Sequence, residues 1–193
     1  MNTEHNAGVL DPAANQNTGS LVEPKPADSP ASSQAGFVDT ATDATDADAA
    51  GIASLVNLWA DRGLTLRRDA ADIAKTINEF VVVRDDAAEH EGVRACGALV
   101  EWPPTVAEIR SVSVADRARG NGAGRAIVEA LIAKAKAEGM TTVVLLTKTP
   151  AFFAKFGFAE ITVDDLPQGY VEGAIVGQGR NVEGRVAMIM QVS

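Results

Sequence analysis

Three glycines at alternate positions, Gly120, Gly122 and Gly124, stand in the stretch RARGNGAGRAIVEALIAKAKAEG just ahead of a strongly helical run. A helix start carries backbone N–H groups with no intrahelical partner and the positive end of the macrodipole, so it attracts anions. Glycines at that entrance let the chain turn sharply and let a phosphate approach with no Cβ in the way. The guest that suits the loop is a pyrophosphate. Spacing excludes two other glycine motifs. A P-loop needs Gly-Lys-Ser or Gly-Lys-Thr at the helix start, where this chain reads Gly124-Arg125-Ala126. A dinucleotide fingerprint needs Gly-x-Gly-x-x-Gly and an acid closing the next strand, and that strand ends here in Thr147.

Other chemistries find fewer residues. With one cysteine, Cys96, neither an intrachain disulfide nor a cysteine-rich metal site can form, and in RACGALV that cysteine reads as a small buried apolar residue. Two isolated histidines, His5 in the leading segment and His90 in a turn, make no case for a metal or a Ser/His triad. The formal charge of -9 is unevenly spread: residues 1 to 50 hold eight acids against the single Lys25. That balance argues against a nucleic-acid partner, which requires clustered Lys and Arg. An anionic ligand must therefore be met by local cations or backbone amides. No apolar run approaches the roughly 20 residues that span a bilayer, and the first residues lack the basic and apolar regions of a leader. The expectation is a cytoplasmic protein with no membrane partner.

The elements that must position the glycine loop follow from composition and period. Residues 1–35 are Ala, Asn, Asp, Pro, Ser and Thr with almost no large apolar side chain, which predicts a disordered acidic tail ahead of a domain at 36–193. GFVDTA reads as a short first strand. DADAAGIASLVNLWADRG reads as a helix with Ile52, Leu55, Val56 and Trp59 on its apolar face and Gly63 as its stop, and RDAADIAKTINEF as a second helix. FVVVRDDAAEHEGVRACGALVEW predicts a hairpin, AEIRSVSVA a strand, GAGRAIVEALIAKAKAEG a helix and TTVVLLT another strand. PAFFAKFG opens a short helix with proline, and FAEITV and RVAMIMQV close the chain as strands. The order predicts an α/β (α+β) domain with a mixed sheet, antiparallel at first and then carrying one strand-helix-strand crossover.

Arg119-Gly120-Asn121-Gly122-Ala123-Gly124, with the strand before it, the helix after it and FFAKFGF downstream, resembles the Arg/Gln-x-x-Gly-x-Gly/Ala signature of the GNAT family of N-acetyltransferases. The resemblance runs from about residue 36 to 192. It implies that the loop amides bind the pyrophosphate of acetyl-CoA and that its pantetheine lies between two parallel strands that splay apart, residues 107–115 and 142–147. Val112, Ser113, Val114 and the run Arg119 to Arg125, with Gly120, Asn121, Gly122, Ala123 and Gly124, are then the cofactor-binding positions. WADRGLTLRRDAADI, EFVVV, CGAL, AEIRSVSV and FFAKFGF, in that order, are similar to the acetyltransferase domain of N-acetylglutamate synthases, in particular the short form. The implied reaction is acetyl-CoA plus L-glutamate giving N-acetyl-L-glutamate and CoA, the entry step of arginine biosynthesis.

Acyl transfer to an amine needs the amine unprotonated and an acid for the departing thiolate, and glutamate adds two carboxylates that must be paired with cations. Glu108 is the candidate base. Arg110 shares its face by period-two alternation and could pair with it or with substrate. Arg68, after GLTL, and Arg180, in GQGRNVEGRVAMIM, are the substrate cations that the resemblance implies, with Arg67 and Arg185 as their neighbours in doubt. Many members of the family carry a tyrosine acid in the short helix, which has none here; the only tyrosine, Tyr170, falls in a later loop. The resemblance to the synthases implies a hydroxyl at the strand end instead, Thr147 or Thr149, and a thiolate that leaves unaided is the alternative. Phe152, Phe153, Phe156 and Phe158 read as core. Alternative readings are an acetyltransferase for glutamine, another amino acid or a protein N-terminus, and a non-catalytic acetyl-CoA sensor. A homodimer through the late strands is compatible with VAMIM, and no metal is called for.

Overall fold

The computed structural model describes residues 39–85, 89–180 and 182–192. The tail expected at 1–35 lies outside the described residues, as does the start of GFVDTA. The first described strand is β1, Thr42–Asp43, just beyond that segment. Acidic Asp46 and Asp48 then lead into α1, Ala49–Asp61, which buries Ile52, Leu55 and Val56 at helical spacing and ends as Gly63 takes a positive φ. The second helix is shorter than its sequence suggests. It runs over α2, Ala70–Lys75, capped by the Asp69 side chain, and continues only as a 3-10 turn at Ile77–Glu79.

Strands β2, Phe80–Arg84, β3, Val93–Trp102, and β4, Val106–Val114, form an antiparallel meander. Helix α3, Ala123–Ala137, crosses over to β5, Thr142–Thr147, which pairs parallel to β4. Helix α4, Pro150–Ala154, leads to β6, Ala159–Ile161, and β7, Val186–Gln191, inserts between β5 and β6. The sheet order is β1-β2-β3-β4-β5-β7-β6. Helix α3 seals one face with Ile127, Val128 and Leu131, all fully buried, and Gly97 of β3 lets it approach: a Cβ there would lie 2.7 Å from Ile127 and 2.9 Å from Leu131. This is the expected mixed sheet with its single crossover. No helix among the described residues is long and apolar enough to cross a membrane.

One element was not legible beforehand. QGYVEGAIVG forms a short helix α5, Gln168–Tyr170, that runs on as a π-helical segment, Val171–Gly177. Three glycines and a preceding proline hide its helical period. Gly173 is there for contact: a Cβ on it would lie 2.4 Å from Cζ3 of Trp102. Tyr170, expected in a loop, sits in this helix and is buried edge-on against Trp102, with ring centroids 5.7 Å apart.

Candidate active site

The parallel pairing of β4 with β5 stops at Glu108 opposite Val144, and beyond it a cleft of about 1040 Å³ opens between the two strands. Strand β4 is bulged just past that point. Two register pairs, Ala98 with Arg110 and Cys96 with Ser113, leave an extra residue on β4, and Ser111 takes φ 58° to accommodate it. The cleft walls carry nine cationic side chains, Arg67, Arg68, Arg110, Arg119, Arg125, Lys148, Lys155, Arg180 and Arg185, and one acid, Glu108. In a chain of net charge -9 this concentration of cations marks a site for anionic guests.

One end of the cleft is the glycine loop. Gly120 and Gly122 take φ 81° and 97°, and Gly122, as the residue before α3, offers no side chain to cap it. The Ala126 N–H bonds the Gly122 carbonyl, so the amides of Ala123, Gly124 and Arg125 lie ahead of the helical ladder. Trp59 roofs this end. Its indole N–H donates to the Val114 carbonyl at 3.0 Å, and the guanidinium of Arg119 lies 5.4 Å from its ring. The apolar period of α1, which groups Trp59 with Ile52, Leu55 and Val56 on one face, does not distinguish such a wall residue from core. Val112, Val114, Arg119, Gly120, Gly122, Gly124 and Arg125 all line the cleft. Ser113 and Ala123 are buried and Asn121 is exposed, and none of the three is among the residues lining the cleft. Phe152 and Phe156 are half-buried cleft walls, Phe153 is buried core that also lines the cleft, and Phe158 is core alone.

The other end is built around Glu108, which is 1% exposed. Its Oε1 accepts from Nη1 of Arg180, and its Oε2 has no hydrogen-bond partner among the described residues. Arg180 is carried there by the π segment, its own amide bonding the Ile175 carbonyl at 3.0 Å. Arg68 is held through its backbone: Asn57 donates to the Arg68 carbonyl and accepts from the Arg68 amide, both at 3.0 Å. The Arg68 guanidinium lies 5.9 Å from the Phe80 ring. Burial, with Arg110 beside it, holds it below the usual arginine range; burial, with Arg185 and Arg68 nearby, does the same to Arg180. Arg110 is already committed to Glu79 at 3.0 Å, and exposed Arg67 pairs with Asp61. Arg185 reaches the Leu64 carbonyl at 3.4 Å.

Thr147, at the end of β5, is buried, with its Oγ1 accepting from the Thr149 amide at 3.0 Å and lying 3.2 Å from the Thr149 hydroxyl. Tyr170 does not reach the cleft. Burial pushes its phenol above the ordinary tyrosine range, with Arg110 opposing. Cys96 is fully buried and its thiol is pushed up to about 12 by desolvation, so it offers no thiolate. The arrangement thus joins an anion loop, a splayed strand pair, a buried carboxylate and a group of arginines in one cleft.

Residues 48–158 match the family model described as Acetyltransferase (GNAT) family. An uncharacterized N-acetyltransferase of Chlorobaculum tepidum is 34% identical over 123 residues, 63% of this chain and 76% of that one. The amino-acid acetyltransferase of Ralstonia nicotianae is 33% identical over 129 residues, 65% of this chain but 28% of its own length. The chain thus spans under a third of the amino-acid acetyltransferases it matches. Among solved structures, N-acetylglutamate synthase from Neisseria gonorrhoeae, complexed with coenzyme A and N-acetyl-glutamate, superimposes with TM-score 0.69 at 24% identity, over 80% of this chain and 35% of that one. Rv2747 from Mycobacterium tuberculosis, in complex with CoA and NLQ, gives TM-score 0.66 at 27% identity, over 80% and 99%.

Proposed function

This chain belongs to the acetyltransferase (GNAT) family, and on that premise we propose that it transfers the acetyl group of acetyl-CoA to the α-amino group of L-glutamate. The observation that carries the reading is the placement of Glu108 at the last paired position of the splayed strands, with Arg68 and Arg180 beside it in one cleft. The glycine loop takes the pyrophosphate on the amides ahead of α3, and the pantetheine runs between β4 and β5 toward Glu108. Arginine guanidiniums pair with the acceptor's carboxylates and orient its amine. Glu108 accepts the amine proton on Oε2. The neutral amine then bonds the thioester carbon, the carbon–sulfur bond breaks with its electron pair leaving on sulfur, and the remaining excess proton on nitrogen passes to the thiolate, relayed by the Thr147 hydroxyl. The transfer is direct, in a ternary complex, because buried Cys96 provides no nucleophile.

A second reading takes L-glutamine as the acceptor. Arg110 is occupied by Glu79, which leaves one cation fewer for a second carboxylate. Release of free CoA from acetyl-CoA, with L-glutamate, L-glutamine and the other amino acids offered singly, decides between them. With glutamate as substrate, Arg68→Ala is expected to raise the acceptor KM about 10- to 100-fold through the loss of a charged hydrogen bond worth ~1.5–3 kcal/mol. Glu108→Gln is expected to lower kcat about 10²- to 10⁴-fold with acetyl-CoA binding kept. Preference for glutamine would move the assignment to the second reading, and tight CoA binding with no turnover of any amine would remove catalysis from the proposal.

A further inference from the structure

Glu108 is asked for two incompatible things. A carboxylate that is 1% exposed must be neutralised in the empty site, because an unpaired buried charge is strongly disfavoured, and Arg180 does this. A carboxylate held by a guanidinium is, for the same reason, a poor proton acceptor. The positions of the two residues suggest how both demands are met. Glu108 is fixed on the central strand β4, whereas Arg180 follows the π segment at the edge of the cleft, its side chain 13% exposed. Arg180 also stands among the arginines Arg68 and Arg185, where an incoming carboxylate would be drawn.

We propose that Arg180 is a latch on the base: it pairs with Glu108 while the acceptor site is empty and passes to the acceptor's carboxylate on binding, so that the acceptor itself frees the carboxylate that takes its proton. This rests on the reading of the cleft as the acceptor site for a carboxylate-bearing amine. Catalytic power is then tied to the presence of that carboxylate, which selects amino acids over simple amines by rate as well as by binding. Other charged groups among the described residues line the same cleft from several elements. Arg110 lies on β4 itself, Arg68 comes from the α1–α2 connection, Arg185 from ahead of β7 and Lys148 from beyond β5. Arg110 in turn pairs with Glu79, and Tyr170 lies within its field.

The test is a titration of Glu108 by carbon NMR in protein labelled at the glutamate carboxyl, with the signal assigned by its loss in Glu108→Gln. In the ligand-free protein, Arg180→Gln is expected to raise the midpoint by about 1–3 pH units, since removal of a paired cation favours the protonated acid, and Arg180→Lys is expected to restore most of the wild-type value. Adding CoA and N-acetyl-L-glutamate to the wild type is expected to move the midpoint in the same direction by at least about one unit. Equal midpoints in wild type and Arg180→Gln would overturn the latch. So would N-acetyl-L-glutamate that binds, as judged by other signals, and leaves Glu108 where it was. If the Arg180→Gln shift is present and N-acetyl-L-glutamate does not bind at all, the glutamate reading fails, and the release step fails with it.

Discussion

On the proposed reading, the Thr147 hydroxyl gives the departing sulfur its proton. Its oxygen already accepts from the Thr149 amide, so its own proton is left to give, either to Thr149 at 3.2 Å or to a leaving group. Demand for that proton is modest, because a thiol with an ordinary pKa near ~8.5 departs readily as thiolate. Thr147→Val is therefore expected to cost about one hydrogen bond, ~1 kcal/mol or roughly fivefold in kcat, with Thr147→Ser near wild type. Single-turnover measurement of thioester cleavage checks this. A loss above a hundredfold would make the hydroxyl an obligatory acid. Other side chains separate equally sharply by surroundings: Arg67 and Arg68 are adjacent in sequence, yet one pairs with Asp61 in solvent while the other is clamped by Asn57 inside the cleft.

At the scale of elements, the π segment is the part on which the proposed acceptor chemistry rests most and which sequence revealed least. It delivers Arg180 to Glu108 and is seated by Gly173 against Trp102. Gly173→Ala would place a methyl 2.4 Å from the indole. Displacement of the segment is expected to cost about 1–3 kcal/mol of stability, seen in thermal unfolding, and to raise the acceptor KM while leaving the acetyl-CoA KM within twofold. Equal loss on both substrates would mean that the segment supports the whole cleft. The glycine loop and the strands beside it were legible as elements because they rest on local signals: glycine spacing at a helix start, β-branched runs, a proline-opened helix. At the other end Glu108, Arg68 and Arg180 were named through the resemblance, but their partners were not legible, because long-range pairings leave no local signature. Arg110 with Glu79 and Arg180 with Glu108 join residues 31 and 72 positions apart, and the π segment breaks the 3.6 period that reveals a helix. Trp59 shows the same limit from the other direction, since an apolar stripe names the residues that avoid water without saying whether core or ligand covers them.

Over the whole molecule, the chain carries a net -9 while the cleft walls carry nine cations and one acid. An anion approaching the acidic surface is repelled except along the cleft, so the charge distribution acts as a guide as well as a solubiliser. Screening separates this field from direct contact: the Debye length falls from about 10 Å at 0.1 M salt to about 3 Å at 1 M, which removes attraction across the cleft but not hydrogen bonds to loop amides. Raising sodium chloride from about 0.05 to 0.5 M is therefore expected to raise KM severalfold for acetyl-CoA and for a dianionic acceptor, with kcat within about twofold. The unfolding temperature should move little over the same range, because exposed pairs such as Lys75 with Asp72 and Arg125 with Glu129 each contribute less than about 1 kcal/mol. A flat KM for acetyl-CoA beside a rising one for the acceptor would locate the field at the arginine end alone. The glycine loop would then hold its pyrophosphate through backbone amides, with Arg119 and Arg125 shaping the walls of the cleft rather than drawing in the cofactor.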